Sequence, residues 1–443
     1  MVELRFHGTG DGHPATLGDL IHTVTTGELP MRITAFDGTD VGPQDSPVRI
    51  EVKNRRGLDY LLTAPGDLGI ARAYLMGDLE VYGIHPGNPY QAFQLLKSGV
   101  STRRPKAREI ADLAKGFELH KLRTPPLPAQ EAPARWRRRL ETKVPATSKL
   151  RAARAISHHY DVSNAFYEKV LGPSMAYTCA VYASDADTLE QAQERKFDLV
   201  AQKLALKPGM RLLDVGCGWG GMVRHAVKHY GVTAIGVTLS KEQASWASAA
   251  IERDGLSDHA EVRHLDYRDV PEADFDAISS IGLTEHIGVR NYPAYFGYLH
   301  GKLAEGGRLL NHCITRADNK AGARPEPFTD RYVFPDGELG SPSQVIGACH
   351  DAGFEVQHDE NLRLHYAKTL AAWCQNLQDS WDFCVDEAGE GTAKVWGLYM
   401  AGSQFSFEAN WLQLHQVLAT KVGPEGQSSY PWRPDWDPSP SVS

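Results

Sequence analysis

The sequence predicts an α/β protein whose larger part is a parallel, doubly wound sheet, preceded by a smaller unit. The first observation behind this is Arg211–Gly221, RLLDVGCGWGG. An apolar run there ends at Asp214, meets Gly216, Gly218, Gly220 and Gly221, and continues into a helical pattern, MVRHAVKHY. That order reads as a buried strand, a tight turn and a helix N-terminus, which lets a nucleotide-like ligand approach bare backbone. Glycine is needed because a Cβ would obstruct the turn or the ligand. The second observation is regular strand–helix alternation downstream, the pattern of a parallel sheet covered by helices.

The bulk properties agree with this class. A chain of 443 residues exceeds one ordinary core, so two or three domains are expected. With 42% hydrophobic and 23% charged residues and a net charge of −8, the chain reads as soluble and globular, and the acidic total argues against general nucleic-acid binding. No apolar run is long enough to span a bilayer, and the polar N-terminus lacks a signal-peptide core. Cys179, Cys217, Cys313, Cys349, Cys374 and Cys384 form no CxxC pair and read as reduced thiols of a cytosolic protein rather than a metal site.

Residues 1–115 are expected to form a small α+β accessory domain, with a strand over Val48–Val52 and a helix over Leu68–Met76. Residues 116–150 read as a Pro-rich linker. Between Arg135 and Arg154, from the linker into the start of the next segment, the chain carries eight Lys/Arg (135, 137, 138, 139, 143, 149, 151, 154) against Glu141 alone, with Trp136 interleaved. A solvated linker and a contact with an anionic membrane surface both fit that composition. Residues 151–422 form the main domain. Thr188 and Gln191 have capping-box spacing and open a helix reaching about Leu206. Strand 211–216 then leads to helix 220–230, strand 232–239 to helix 241–254, strand 261–266 to a loop, and strand 275–282 to helix 291–303 and strand 308–314. Helix 341–352, strand 354–362 and helical patterns near 367–386 and 392–420 follow, and 423–443 reads as a tail. In such sheets ligands sit at the carboxyl ends of strands, which gathers Gly216, Thr238, Asp266, Glu285 and His312. The aromatic residues of the last helical patterns, Trp373, Trp381, Trp396 and Trp411 among them, are read mainly as core, with a minority left to line a channel for an apolar substrate.

The end of the second strand would decide between nucleotide classes. Dinucleotide folds and most methyltransferases place Asp or Glu there, whereas this chain has Thr238, Leu239 and Gln243 within TLSKEQ, a departure from both general patterns. TLSKEQ after LDVGCGWGG, preceded by HHYDVSNAFY and AYTCAVY, resembles the cyclopropane-fatty-acyl-phospholipid and mycolic acid cyclopropane synthases over roughly residues 150–420. The first 115 residues resemble the accessory domain of the phospholipid-acting branch. The resemblance implies a class I methyltransferase fold, Rossmann-like, with helical lipid-binding additions. It implies S-adenosylmethionine held by Tyr177, Thr178, Asp214, Gly216, Gly218, Thr238, Leu239, Gln243, Asp266, Tyr267 and Ile281. Thr178 stands where the family usually has Ser, and Tyr267 where mycolic relatives often have Trp.

The same resemblance implies a bound bicarbonate as proton acceptor, in a pocket of Glu285, His312, Tyr366 and backbone groups at Cys179 and Ile314. His312 and Tyr366 can donate to an oxyanion, and Glu285 can accept from a hydroxyl or orient His312. Taken singly, a core histidine, a helix cap and a packed tyrosine explain these residues equally well. The implied reaction adds a one-carbon unit to the double bond of an unsaturated phospholipid acyl chain. A cyclopropane product is expected, with a 10-methylene product as the alternative, and the latter implies a flavin or NADPH reductase as partner. The implied location is cytoplasmic, peripheral to the inner face of the membrane, and a homo-oligomer fits the reading. Two other classes stay open on the residues alone: an NAD(P)-dependent oxidoreductase, and a non-catalytic lipid-binding protein.

Overall fold

The computed structural model describes residues 15–99, 101–119, 122–132, 162–319, 326–335, 337–428 and 430–436. The basic stretch Arg135–Arg154 and His158–Asp161 of the HHYDVSNAFY motif lie outside the described residues. The chain divides into two compact units, Met1–Glu131 with Gly391–Gly402, and Ala132–Glu390 with Ser403–Ser443.

The first unit is α+β. Its strands are β1 (Thr25–Thr26), β2 (Arg32–Ala35), β3 (Asp40–Val41), β4 (Arg49–Val52), β5 (Leu79–Tyr82) and β6 (Ser101–Thr102). β3-β2-β4-β5 make one sheet and β1-β6 a separate antiparallel pair. Helix Leu17–Val24 starts at a capping box between Thr16 and Asp19. Helices Arg55–Thr63 and Asp67–Leu75 deliver Leu58, Tyr60 and Tyr74 to a core with Leu17, Val52, Leu79 and Phe117. Arg72 and Glu131, both buried, form a bidentate pair at 2.7 Å, the geometry in which a buried charge pair is best compensated. The stretch 391–402, expected from sequence to pack in the main domain, belongs to this unit, and Leu398 packs against its core. Gly397 admits that approach: a Cβ there would lie 2.1 Å from the carbonyl oxygen of Pro86.

The second unit is built on a seven-stranded sheet. Its strands are β7 (Arg211–Val215), β8 (Thr233–Thr238), β9 (Ala260–His264), β10 (Phe275–Ile281), β11 (Leu303–Arg316), β12 (Phe354–Asn361) and β13 (Leu412–Lys421). The order is β12-β13-β11-β10-β7-β8-β9. β9, β8, β7, β10 and β11 pair in parallel, whereas β13 is antiparallel to both β11 and β12. The chain runs from β7 outward to β8 and β9, then returns to β10 on the other side of β7. The crevice at the carboxyl ends of β7 and β10 is therefore the switch point where doubly wound sheets take ligands. Leu212, Val223, Ala234, Val262 and Ala277 form the core on one side of the sheet, and Leu213, Val237, Ile278, Phe296 and Leu309 that on the other.

The predicted helix over 392–420 is corrected by the structure. The helix Glu390–Glu408 stops, Asn410 takes a left-handed φ of 59°, and β13 follows. Asn is one of the few residues that adopts this conformation readily past a helix end. β13 is buried along nearly its whole length, so it shows no alternation and its apolar run is ambiguous by periodicity. The pattern near 367–386 is two helices, Arg363–Asp379 and Trp381–Ala388. Helix Leu189–Lys203 starts at the predicted capping box. Beyond Gly423, Tyr430 and Trp436 pack against the sheet core. Among the described residues no helix is long and apolar enough to cross a membrane, and the six cysteines are unbridged.

Gly397→Val should destabilise the first unit by about 1–3 kcal/mol through overpacking against the Pro86 backbone. A lowered urea midpoint checks this. An unchanged midpoint would mean that the backbone yields at no cost.

Candidate active site

The turn after β7 is built by the glycines, each for its own reason. The amides of Gly216 and Cys217 both donate to Val237 O, at 2.9 and 3.0 Å, which ties the turn to the end of β8. Gly216, Gly218 and Gly220 have φ of 76°, 54° and 75°, the left-handed region that disfavours a Cβ. A Cβ on Gly221 would lie 2.6 Å from the Phe197 ring, and one on Gly220 3.1 Å from Ala247. Those two serve packing. At Gly218 a Cβ would meet nothing within 4 Å, so this backbone faces open space. Asp214, at the end of β7, accepts from Ser279 Oγ at 2.6 Å, and burial raises its carboxyl to about 6.

The second-strand residues are joined to one another. Thr238 Oγ1 donates to Gln243 Oε1 at 2.7 Å and accepts from the Ser240 amide at 3.2 Å, while Leu239 lies between them. Gln243 would therefore meet a ligand with its amide nitrogen. Asp266 is buried, and its carboxylate receives Arg268 through Nε and Nη2 at 2.8 and 2.7 Å. The neighbouring Tyr267 ring packs edge-on against Tyr295 and Tyr298, with centroids at 5.4 and 5.3 Å. Thr178 Oγ1 accepts from Lys196 Nζ at 3.0 Å, and burial lowers this ammonium to about 7.

Aromatic rings connect the glycine turn to Tyr366. Centroid separations run 4.9 Å from Trp219 to Tyr167, 6.2 Å to Tyr177, 5.4 Å to Trp373 and 6.0 Å to Tyr366. Phe407 closes the row 4.7 Å from Tyr366. All but Tyr177 are buried. Such a row gathers π-faces away from water, a setting that suits a cationic centre.

Glu285, Ile314 and His312 come together at β11. Glu285 sits on the short helix Thr284–Ile287 just past β10, and its Oε1 accepts from the Ile314 amide at 2.7 Å. Its other oxygen, Oε2, is buried with no hydrogen-bond partner among the described residues. Burial pushes the carboxyl up to about 7. His312 was expected at a strand end and lies inside β11, because that strand runs on to Arg316. It nevertheless stands level with the end of β10, opposite Ile281. Its Nδ1 pairs with Gln416 Nε2 at 3.2 Å, and its Nε2 is buried without a partner among the described residues. Burial, with Lys196 and Lys203 adding to it, holds the imidazole well below its ordinary pKa, so it is neutral. His312 and Ile314 are two residues apart, about 7 Å along the strand. Glu285 thus carries one orphan oxygen beside the Ile314 amide, and His312, on the same strand as Ile314, carries one orphan ring nitrogen. The Ile314 amide, expected to face bicarbonate, is engaged by Glu285 instead. Cys179 is buried, donates to Ala180 O at 3.2 Å, and has its thiol pushed up by burial, so it stays protonated.

Sequence reasoning did not single out Lys196, Lys203, Arg268, Ser279 or Gln416. Lys196 and Lys203 lie in a helix whose pattern reads as amphipathic, and Gln416 lies in the strand read as helix. Only a lysine at a position facing the core could have signalled the first two.

The mycolic acid cyclopropane synthetase family model matches residues 147–417. A probable fatty acid methyltransferase of Mycobacterium tuberculosis is 55% identical over 413 residues, covering 93% of this chain and 96% of that protein. The cyclopropane-fatty-acyl-phospholipid synthase of Escherichia coli K12 is 36% identical over 274 residues, 62% of this chain and 69% of that one. The crystal structure of mycolic acid cyclopropane synthase CmaA1 complexed with SAH and CTAB superposes with a TM-score of 0.57 at 32% identity, over 61% of this chain and 98% of that one.

The raised carboxyl of Glu285 makes a stability prediction. Between its ordinary value of 4.5 and about 7, the folded protein keeps this proton while the unfolded chain has lost it. The contribution is therefore complete below pH 4.5 and is lost as pH rises to 7. Glu285→Gln should remove that loss, flattening the fall of unfolding free energy over this window by up to about 3 kcal/mol. Urea denaturation of both proteins across the window checks it, and parallel curves would contradict it.

Proposed function

The chain belongs to the mycolic acid cyclopropane synthetase family, and we propose that it adds a one-carbon unit from S-adenosylmethionine to the double bond of an unsaturated phospholipid acyl chain. Its fold is that of the class I S-adenosylmethionine methyltransferases, as in the CmaA1 structure with SAH. The finer reading is supported by two orphan polar atoms, Glu285 Oε2 and His312 Nε2, and by a row of buried aromatic rings in the same unit. Methylating an alkene needs a dry site and a proton acceptor, and needs no nucleophile generated by the protein.

S-adenosylmethionine, when bound, supplies an electrophilic methyl group. The open backbone at Gly218, the Gln243 amide and the Thr178 hydroxyl fit it, and Tyr177, Asp214, Gly216, Thr238, Leu239, Asp266, Tyr267 and Ile281 complete the proposed site. The protein's part is to position and to exclude water. Trp373 and Tyr366 offer faces to developing positive charge, and Trp219 and Tyr167 seal the turn. The remaining donor and acceptor fit bicarbonate: His312 Nε2 can donate to its oxyanion, and Glu285 Oε2 can accept from its hydroxyl. Cys179 and Ile314 then act by shaping this pocket. Cytoplasmic location at the membrane's inner face follows from such a substrate.

Cyclopropane formation is supported by the Escherichia coli relative's name, while the mycobacterial relative's name, a probable fatty acid methyltransferase, fits either product. The full chain, incubated with S-adenosylmethionine, bicarbonate and oleoyl-phospholipid vesicles, should give fatty acids heavier by one methylene with strained-ring protons in the NMR spectrum. Olefinic methylene protons at the same mass would assign the branched product and a reductase partner. No mass gain on any unsaturated lipid would overturn the reading.

A further inference from the structure

One rung of the sheet runs through four strands. Ile281 on β10 opposes His312 on β11, His312 opposes Gln416 on β13, and Gln416 opposes Glu360 on β12. Opposed residues share a face of the sheet. Lys203, the last residue of helix Leu189–Lys203, reaches this rung with a fully buried side chain. Its Nζ donates to Gln416 Oε1 at 2.7 Å and pairs with Glu360. Gln416 Nε2 in turn faces His312 Nδ1 at 3.2 Å.

The order of donors along this line follows from chemistry. Lysine has donors only, so the Gln416 atom facing it must be the carbonyl oxygen. The amide nitrogen then faces His312, and an amide nitrogen also has donors only. Nδ1 of His312 must accept, so the single proton of the neutral ring sits on Nε2. Protonating Nδ1 would set two donors against each other. Glu360 is partly exposed and anchors the lysine, with its charge available to oppose the buried ammonium.

We propose that Lys203 and Gln416 are positioning residues that hold His312 as the neutral Nε2–H tautomer, a fixed hydrogen-bond donor to the acceptor bound beside Glu285. The inference rests on the function proposed above for the use of that donor, but not for the tautomer. His312 in this arrangement gives a hydrogen bond and takes no proton.

The test begins with the ligand-free full chain, labelled with 15N at histidine, in which His312 is assigned by its loss in His312→Ala. Long-range 1H–15N spectra should show Nε2 protonated and Nδ1 bare in the wild type. Protonated Nδ1 there would overturn the proposal without reference to any activity. Gln416→Glu replaces the donor with an acceptor of the same size and should move the proton to Nδ1 or add a second one. Lys203→Arg keeps a donor-only partner and should leave the wild-type pattern. In the vesicle assay Gln416→Glu should lose about 10²-fold in kcat, the scale of one misplaced oxyanion donor, with S-adenosylhomocysteine affinity within about twofold of wild type. An unchanged kcat, with the tautomer reversed, would overturn the positioning role. Absence of lipid turnover in the wild type, with the Nε2–H signature present, would overturn the proposed function and leave the tautomer assignment standing.

Discussion

Register at the antiparallel strand β13 is the constraint on which the site depends. β13 enters between β11 and β12 and pairs His312 with Gln416 on one side and Glu360 with Gln416 on the other. Because side chains alternate faces, a slip of one residue would turn Gln416 away from both. His312 Nδ1 would then be buried without a partner and Lys203 would keep only Glu360, a cost of about 1–3 kcal/mol for the unpaired ring nitrogen. Burial thus makes the register nearly compulsory. The same register sets His312 level with the end of β10, beside the segment that carries Glu285.

Around that rung the second unit separates its tasks. The parallel half of the sheet supplies the glycine turn and the Thr238–Gln243 pair. The segment just past β10 supplies Glu285, and β11 supplies His312. The aromatic row runs from Trp219 at the glycine turn to Tyr366 and Phe407. Burial, with Lys196 and Lys203 adding to it, keeps His312 neutral, and burial keeps Glu285 from ionising early. Each perturbation depends on exclusion of water, which is also what a cationic alkyl centre requires.

The parallel part of this fold was legible because its signals are local. RLLDVGCGWGG announces strand, turn and helix in eleven residues, and Thr188 with Gln191 fixes a helix start. β13 was not legible, because a strand buried on both faces lacks the period that distinguishes it from a helix. Gln416 went unnoticed with it. Glu285 and His312 were found through motifs, but the engagement of the Ile314 amide by Glu285 depends on how β11 lies against the Thr284–Ile287 helix, which no local pattern encodes. Stretch 391–402 looked like core and is core, but of the other unit, since an apolar helix does not say which partner it covers.

The account's central claim is that the cofactor half and the proton-handling half are distinct. Isothermal titration of S-adenosylhomocysteine into Glu285→Gln and His312→Ala, with turnover on oleoyl-phospholipid vesicles measured beside it, tests this most directly. The account predicts affinity within about twofold of wild type and turnover lower by about 10²-fold or more. Turnover kept at the wild-type level, or cofactor affinity lost together with it, would contradict it.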